Sequence, residues 1–245
     1  METETTMHNN MIAEMAERGV MFGHKKSKTH PRMKPYIGGN KNEIELIDPE
    51  ATFSGLKAAI AFLKETVSKG GLALLVGTEA PAKETLKHFA SLFSFPYVTN
   101  RWLGGTLTNF KVIHDRLKYF EDLKAKKEKG ELAKYTKKER SEFDEEIGKM
   151  TISFGGLANL SRLPDALFVV DITTHDTAVR EARKLKIPIV AIVDTNDDPT
   201  LVDYPIFAND HNKKSIEWVC EKILEEVKLG KTVQKKEEPK EQHER

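Results

Sequence analysis

Short, almost continuously apolar runs alternate with amphipathic stretches along most of this chain. The runs Ala166–Asp171 and Ile187–Asp194 each end in aspartate, and Gly71–Gly77 has the same apolar character. Runs of this length without polar alternation are typical of strands buried on both faces, as in a parallel sheet covered by helices. Weaker strand candidates lie at Glu43–Asp48, Tyr97–Thr99 and Pro205–Phe207.

Between these runs, apolar residues recur at steps of three and four, which is the spacing of one helix face. Met7, Met11 and Met15 predict a short packing helix near the start of the chain. Strands that alternate with helices predict an α/β fold, with a central parallel sheet flanked by helices as in flavodoxin or Rossmann-like domains. The main apolar faces lie at Phe53–Val67, Ala82–Phe93, Ala178–Leu185 and Ile216–Val227.

The middle of the chain breaks this rhythm. Two long amphipathic segments have narrow apolar seams, and Glu121–Lys149 holds nine basic and nine acidic residues. This pattern predicts an inserted antiparallel helical hairpin of the coiled-coil kind. Gly130 is suited to end its first helix, and Thr136 with Glu139 fits a capping box that opens the second.

These patterns divide the chain into three parts. Residues 1–105 and 155–230 are predicted to form the α/β domain, and residues 106–154 the inserted hairpin. Residues 231–245 have almost no apolar content and are predicted to be a disordered tail.

Composition limits the class of protein but does not identify a binding partner. The 245 residues are 39% hydrophobic, which is enough for one large packed core, and the formal net charge is only +1. A single cysteine, Cys220, leaves no intrachain disulfide and suits a reducing compartment. The chain shows no secretory signal and no apolar run long enough for a bilayer, so we expect a cytoplasmic protein without a membrane partner.

Local charge is more informative than net charge. The segment Arg18–Lys41 contains seven lysines and arginines and no acidic residue, with histidines and aromatic residues among them. Its glycines and prolines indicate a loop. Such a segment suits nucleic-acid phosphates and bases, and we favour this interpretation over that of a solvated loop without a ligand.

Carboxylates at the ends of the apolar runs suggest a different chemistry. Asp171, Asp194, Asp197 and Asp198 would meet at the carboxyl edge of a parallel sheet, where they could hold Mg²⁺ for phosphoryl transfer. The favoured interpretation is structural, because no nucleophile, base or phosphate loop accompanies them. In that interpretation Asp176 or Thr177 caps the next helix. Histidine and cysteine spacings predict no metal site, and we assign no catalytic residue.

The stretch Arg101–Phe110, "RWLGGTLTNF", stands where the hairpin is predicted to begin. Gly104 and Gly105 permit a sharp change of direction, and Thr106 or Thr108 could cap the helix that follows. Trp102 either packs beneath the base of the hairpin or faces a ligand.

Five motifs in this order carry a family resemblance: "GVMFGHKKSKTHPRMKPYI", "RWLGGTLTNF", "LPDALFVVD", "EARKLKIPIVAIVDTNDDP" and "DYPIFAND". Together, over residues 11–227, they resemble the family of small ribosomal subunit protein two in its bacterial form. The resemblance implies a structural, non-enzymatic constituent of the ribosome that supports translation. It implies binding to small-subunit ribosomal RNA and to neighbouring ribosomal proteins, including the large messenger-binding ribosomal protein one.

The resemblance also implies an RNA-facing surface. It implies no cofactor, with Mg²⁺ present only as part of the RNA environment. A remaining alternative is a protein–protein adaptor that works through the hairpin. The residues carried over by motif are His24, Lys25, Lys26, Lys28, His30, Arg32, Lys34, Arg101, Trp102, Asn109 and Lys111.

Overall fold

Two sheets contain the strands of the described chain. A computed structural model describes the backbone of residues 2–237 and the side chains of residues 9–228. The first sheet is built from the first three strands, and the second from the other five. In chain order the strands are β1 (Phe22–Lys25), β2 (Ile37–Lys41), β3 (Ile44–Ile47), β4 (Ala73–Val76), β5 (Tyr97–Val98), β6 (Ala166–Val170), β7 (Ile189–Val193) and β8 (Tyr204–Phe207).

The larger sheet is parallel throughout, with strand order β5-β4-β6-β7-β8. This confirms the predicted α/β fold with a central parallel sheet. Every residue of β4, β6 and β7 is buried, because helices cover both faces of these strands. Their nearly unbroken apolar sequences follow from that double burial.

Seven helices surround the sheet in the described residues. Alternate residues of each strand enter different cores: Leu75 and Phe168 face one side, and Leu74 and Leu167 the other. Each such buried side chain contributes about 1.5–3 kcal/mol to folding. The helices are α1 (Glu2–Glu17), α2 (Pro49–Ser68), α3 (Ala80–Phe93), α4 (Phe110–Glu128), α5 (Lys137–Phe154), α6 (Asp176–Lys184) and α7 (Lys213–Glu237).

The smaller sheet is antiparallel, with order β1-β3-β2. It corrects one prediction, because the basic segment Arg18–Lys41 is not a simple loop. The segment forms β1, two short 3₁₀ turns and β2. Its glycines and prolines mark the edges of these elements. The weak strand candidate Glu43–Asp48 becomes β3 and belongs to this sheet rather than to the parallel one.

Helices α4 and α5 occupy the part of the chain where a hairpin is predicted. They contact each other through apolar residues such as Leu117 and Ile147, and Lys127 Nζ lies 2.7 Å from Asp144 Oδ1. Gly130 follows α4 with a φ of +73°, and Thr136 opens α5 with the predicted capping box. That these helices act as a separate inserted coiled coil, with boundaries at residues 106 and 154, stays a prediction.

The two ends of the described chain are helical. Met15 on α1 is buried and Met11 packs against the same core, while the side chain of Met7 lies outside the described residues. Helix α7 extends through residues 231–237, part of the predicted disordered tail, and residues 238–245 of that tail lie outside the described residues. Within the described chain, no helix has the length and apolar content to cross a bilayer.

Candidate nucleic-acid interface

The basic segment presents its lysines to solvent. Lys25, Lys26, Lys28 and Lys34 are exposed, on β1 and on the two 3₁₀ turns between β1 and β2. Among the described residues, none of the four forms an ion pair with a carboxylate. The described residues therefore do not neutralise their charges, which remain available to an anionic ligand.

The backbone beneath these lysines is fixed to the central sheet. The His24 amide donates to Thr195 Oγ1 at 2.7 Å, and the His30 amide donates to the Thr195 carbonyl at 2.8 Å. Thr195 lies just beyond the end of β7. Gly23 comes so close to this loop that an added Cβ would lie 2.6 Å from Thr195 Oγ1. The segment can thus hold its lysines in one arrangement.

Arg32 is arranged differently from the lysines. Its Nη1 donates to Asp198 Oδ2 at 2.8 Å and to Thr200 Oγ1 at 2.5 Å. Partial burial would raise the pKa of Asp198, but hydrogen bonds from Thr200 and Arg32 lower it overall. Arg32 remains more than half exposed, so its guanidinium is oriented by the Asp198 loop and still faces solvent. The partly buried His30 accepts from the Arg32 amide at 3.3 Å.

His24 points inward rather than toward solvent. Its side chain is 17% exposed, and its Nδ1 lies 3.2 Å from Asp194 Oδ2. The Asp194 carboxylate raises the pKa of His24 above its usual range. Its ring also makes an edge contact with His211, at 4.9 Å between centroids. Its environment therefore differs from that of the exposed lysines beside it.

The second motif wraps around a buried carboxylate that sequence reasoning missed. Glu181 on α6 is 7% exposed. Its Oε1 accepts from Trp102 Nε1 at 3.0 Å and from the Gly105 amide at 2.8 Å. Its Oε2 accepts from the amides of Leu107 and Thr108 and from the Thr108 hydroxyl, each at 3.0 Å. Burial alone would raise the pKa of Glu181, but these hydrogen bonds lower it overall.

This arrangement corrects the predicted helix cap. Thr108 bonds to Glu181, and the Thr106 hydroxyl donates to the Leu103 carbonyl at 2.6 Å. Helix α4 instead begins after Asn109, whose side chain makes no capping hydrogen bond. Gly105 has a φ of +89°, so the predicted change of direction occurs at this glycine. The only sequence signal for Glu181 was an acidic residue beside the apolar face of α6.

Three polar residues of the second motif remain at the surface. Arg101, Asn109 and Lys111 are exposed, whereas Trp102 is partly buried against Glu181. Among the described residues, Arg101 and Lys111 form no ion pair. Arg101 borders a groove of about 520 Å³ to which Lys87 and Lys124 also contribute. The motif thus has a buried half that fixes its shape and an exposed basic half.

The two motifs share one edge of the central sheet. Arg101 follows β5 and Thr195 follows β7, and parallel strands end at the same edge. Three strand spacings separate β5 from β7, which corresponds to roughly 14 Å. The exposed basic residues of both motifs can therefore face one extended ligand.

Comparison with known proteins identifies the family. Residues 15–230 match the family model described as "Ribosomal protein S2". The chain belongs to the ribosomal protein S2 family.

Curated members of the S2 family cover nearly the whole chain. The protein named "Small ribosomal subunit protein uS2" from Roseiflexus castenholzii is 45% identical over 89% of this chain and 82% of its own length. Proteins of that name from Coprothermobacter proteolyticus and Rhodopirellula baltica are 39% and 40% identical, over 90% and 92% of this chain and 82% and 86% of their own lengths. The S2 family consists of structural components of the small ribosomal subunit rather than enzymes.

In this S2-family chain, the carboxylates considered for phosphoryl transfer do not all meet. Asp171, Asp194 and Asp197 are buried together, but Asp198 turns outward to Arg32. We define the strand-end cluster by its six ionisable side chains, which are Asp171, Asp194, Asp197, Asp210, His24 and His211.

His175 is used structurally beside this cluster. Its Nδ1 donates to the Asp171 carbonyl at 2.7 Å, and its Nε2 accepts from the Thr78 amide at 3.0 Å. His175 is also the residue before α6, with no side-chain capping bond, so the predicted caps Asp176 and Thr177 are wrong. A 3₁₀ turn at Pro199–Leu201 follows β7, and Asp198 accepts from the Thr200 amide at its start.

Proposed function

We propose that this chain is a constituent of the small ribosomal subunit that binds ribosomal RNA through two basic surfaces. The first surface comprises Lys25, Lys26, Lys28, His30, Arg32 and Lys34. The second comprises Arg101, Asn109 and Lys111. His24 and Trp102 serve these surfaces indirectly, because their side chains bond to buried acids. We place the protein in the ribosome of the cytoplasm.

The first surface carries most of the proposal. Its four lysines are exposed and unpaired within the described chain, on a backbone fixed by Thr195. RNA phosphates condense counterions, and each phosphate that a lysine neutralises releases part of that layer. Binding should therefore weaken steeply as salt concentration rises. Arg32 and the second surface are each held in place by an acidic side chain of the folded domain. They should therefore restrict the orientation in which RNA can bind.

A charge-matched pair of variants tests this surface. We expect Lys25→Gln, Lys26→Gln and Lys28→Gln together to weaken binding to small-subunit RNA fragments. The slope of log affinity against log salt should become shallower by about 2, since each lost phosphate contact removes about 0.7–0.9. Fluorescence anisotropy across a salt series measures both quantities.

The control triple is Lys57→Gln, Lys64→Gln and Lys69→Gln, which removes the same charge from α2 and the residue that follows it. It should leave the slope unchanged. Equal losses in both triples would mean that net charge, rather than this surface, determines binding.

A second part of the proposal concerns the messenger-binding ribosomal protein one. Helices α4 and α5 leave Val112, Tyr119 and Ile152 exposed, and exposed apolar side chains can contribute to a contact with another protein. We propose that the assembled chain supports docking of protein one. Small subunits reconstituted with and without this chain should differ in bound protein one by quantitative mass spectrometry. Equal amounts would contradict the docking role and leave the RNA-binding role intact.

A further inference from the structure

The loop between β5 and α4 closes around one buried charge. Glu181 on α6 is 7% exposed, and five donors converge on its two carboxylate oxygens. Three of them are backbone amides, at Gly105, Leu107 and Thr108, which lie within four successive residues. A turn whose amides point to one centre forms a concave site for an anion. In this chain the anion is internal and comes from a helix more than 70 positions further along.

The carboxylate of Glu181 carries its charge inside the fold. Burial would raise its pKa, but hydrogen bonds from Thr108, Trp102, Gly105 and Leu107 lower it overall, so the group is ionised at neutral pH. Among the described residues, no lysine or arginine forms an ion pair with Glu181. The donors of the loop therefore compensate its charge, and removal of the carboxylate would leave them without a buried acceptor.

The same bonds fix the chain beside two exposed cations. Trp102 directly follows Arg101, so its bond to Glu181 holds the backbone one residue from that guanidinium. Thr108 lies two positions before α4, and Lys111 is the second residue of that helix. One carboxylate thus holds both ends of the loop that separates Arg101 from Lys111.

We propose that Glu181 is a positioning residue for RNA binding, which orders the loop from Trp102 to Thr108 and so determines how Arg101 and Lys111 meet the RNA backbone. The inference rests on the RNA binding proposed above, and it names the buried group on which the second surface depends. Glu181 acts through the loop that encloses it rather than by touching RNA. A loop already held in its bound shape loses less conformational freedom on association.

A purely structural role for Glu181 would give a different result. Loss of stability alone would lower RNA affinity only through the fraction of unfolded chain, and it would affect both basic surfaces equally. A positioning role affects the second surface alone. Coupling between Glu181 and the cations it positions separates the two roles, because the effects of linked residues do not add.

Glu181→Ala in the full-length chain tests the proposal. We expect weaker binding to small-subunit RNA fragments and a slope of log affinity against log salt that is shallower by about 1, since each phosphate contact contributes about 0.7–0.9. Combined with the pair Arg101→Gln and Lys111→Gln, Glu181→Ala should change affinity by less than about twofold. Combined with the lysine triple at positions 25, 26 and 28, it should multiply the loss.

Two further variants control for charge and for folding. Asp176→Ala removes the same charge from α6, where Asp176 is paired with Arg180, and it should leave the salt slope unchanged. Glu181→Gln keeps the volume of the side chain and one acceptor oxygen, so its affinity should lie between those of the native chain and Glu181→Ala. If Glu181→Ala does not fold by circular dichroism, Glu181→Gln replaces it in every comparison.

Hydrogen exchange gives a measurement that needs no RNA. The amides of Gly105, Leu107 and Thr108 should exchange slowly in the native chain and faster in Glu181→Ala. Fast exchange in the native chain would overturn the ordered loop. Native affinity in a folded Glu181 variant, or losses that add to those of the Arg101 and Lys111 pair, would overturn the positioning role and leave RNA binding intact. A native chain that binds no RNA would contradict the proposed function itself, and the positioning role would fall with it.

Discussion

At the scale of single residues, Gly23 determines how closely the basic segment approaches the sheet. We expect Gly23→Ala to destabilise the fold by about 1–3 kcal/mol, because the new Cβ would lie 2.6 Å from Thr195 Oγ1 and 3.0 Å from Asp194 Oδ1. Gly39→Ala is the matched control, since it lies in the same small sheet with nothing within 4 Å of an added Cβ. Urea denaturation measures both variants, and equal effects would show that the contact with Thr195 is unimportant.

Glu181 shows which residues sequence reasoning could not assign. Its partners are backbone amides and a tryptophan more than 70 positions earlier in the chain. Only the folded arrangement of α6 against the second motif reveals that connection. The acid-free run of the first motif could be recognised from sequence, because it needs no tertiary partner. Its lysines are exposed in the structure, and their role in RNA binding stays a prediction.

At the scale of elements, two glycines near the same helices should respond in opposite directions. Gly130 ends α4 in the left-handed region, so Gly130→Ala should cost about 1–2 kcal/mol. Gly148 lies inside α5 with open space around it, so Gly148→Ala should stabilise by about 1 kcal/mol. Urea unfolding of the two variants gives the comparison. Destabilisation by Gly148→Ala would indicate that α5 is not a regular helix at that point.

Helix boundaries could be predicted where the sequence signal lies within a few residues of the helix end. The capping box at Thr136 and the terminating Gly130 depend on residues within a few positions of each other, and both predictions are confirmed. The caps expected from Thr106 and Thr108 were wrong, because distant or preceding oxygens compete for the same hydroxyl groups. Local sequence patterns cannot show that competition.

At the scale of the whole molecule, the parallel sheet was predictable and the meeting of its loops was not. Strands buried on both faces produce apolar runs that sequence alone reveals. Strand order then decides which loops become neighbours. Asp171, Asp194 and Asp210 meet because β6, β7 and β8 are adjacent, whereas β5, which precedes Arg101, lies at the far side of the sheet.

This strand order leads to a prediction about the two basic surfaces. If one RNA contacts both, the losses of binding free energy in separate variants should add, because the two surfaces lie next to strands β5 and β7, which are roughly 14 Å apart. We compare the lysine triple at positions 25, 26 and 28 with the pair Arg101→Gln and Lys111→Gln, and with both sets combined. Additivity within about 0.5 kcal/mol is expected from anisotropy titrations at fixed salt.

The alternatives give different patterns in the same titrations. If RNA contacts only the first surface, the Arg101 and Lys111 pair should behave like the control triple at positions 57, 64 and 69. If the two surfaces bind separate RNA molecules, two RNA molecules should bind per chain, and each variant set should weaken the binding of only one of them. Additive losses in a single one-to-one step would therefore require one RNA segment across the carboxyl edge of the sheet. Such an RNA would pass the strand-end cluster, where the loops after β6, β7 and β8 meet.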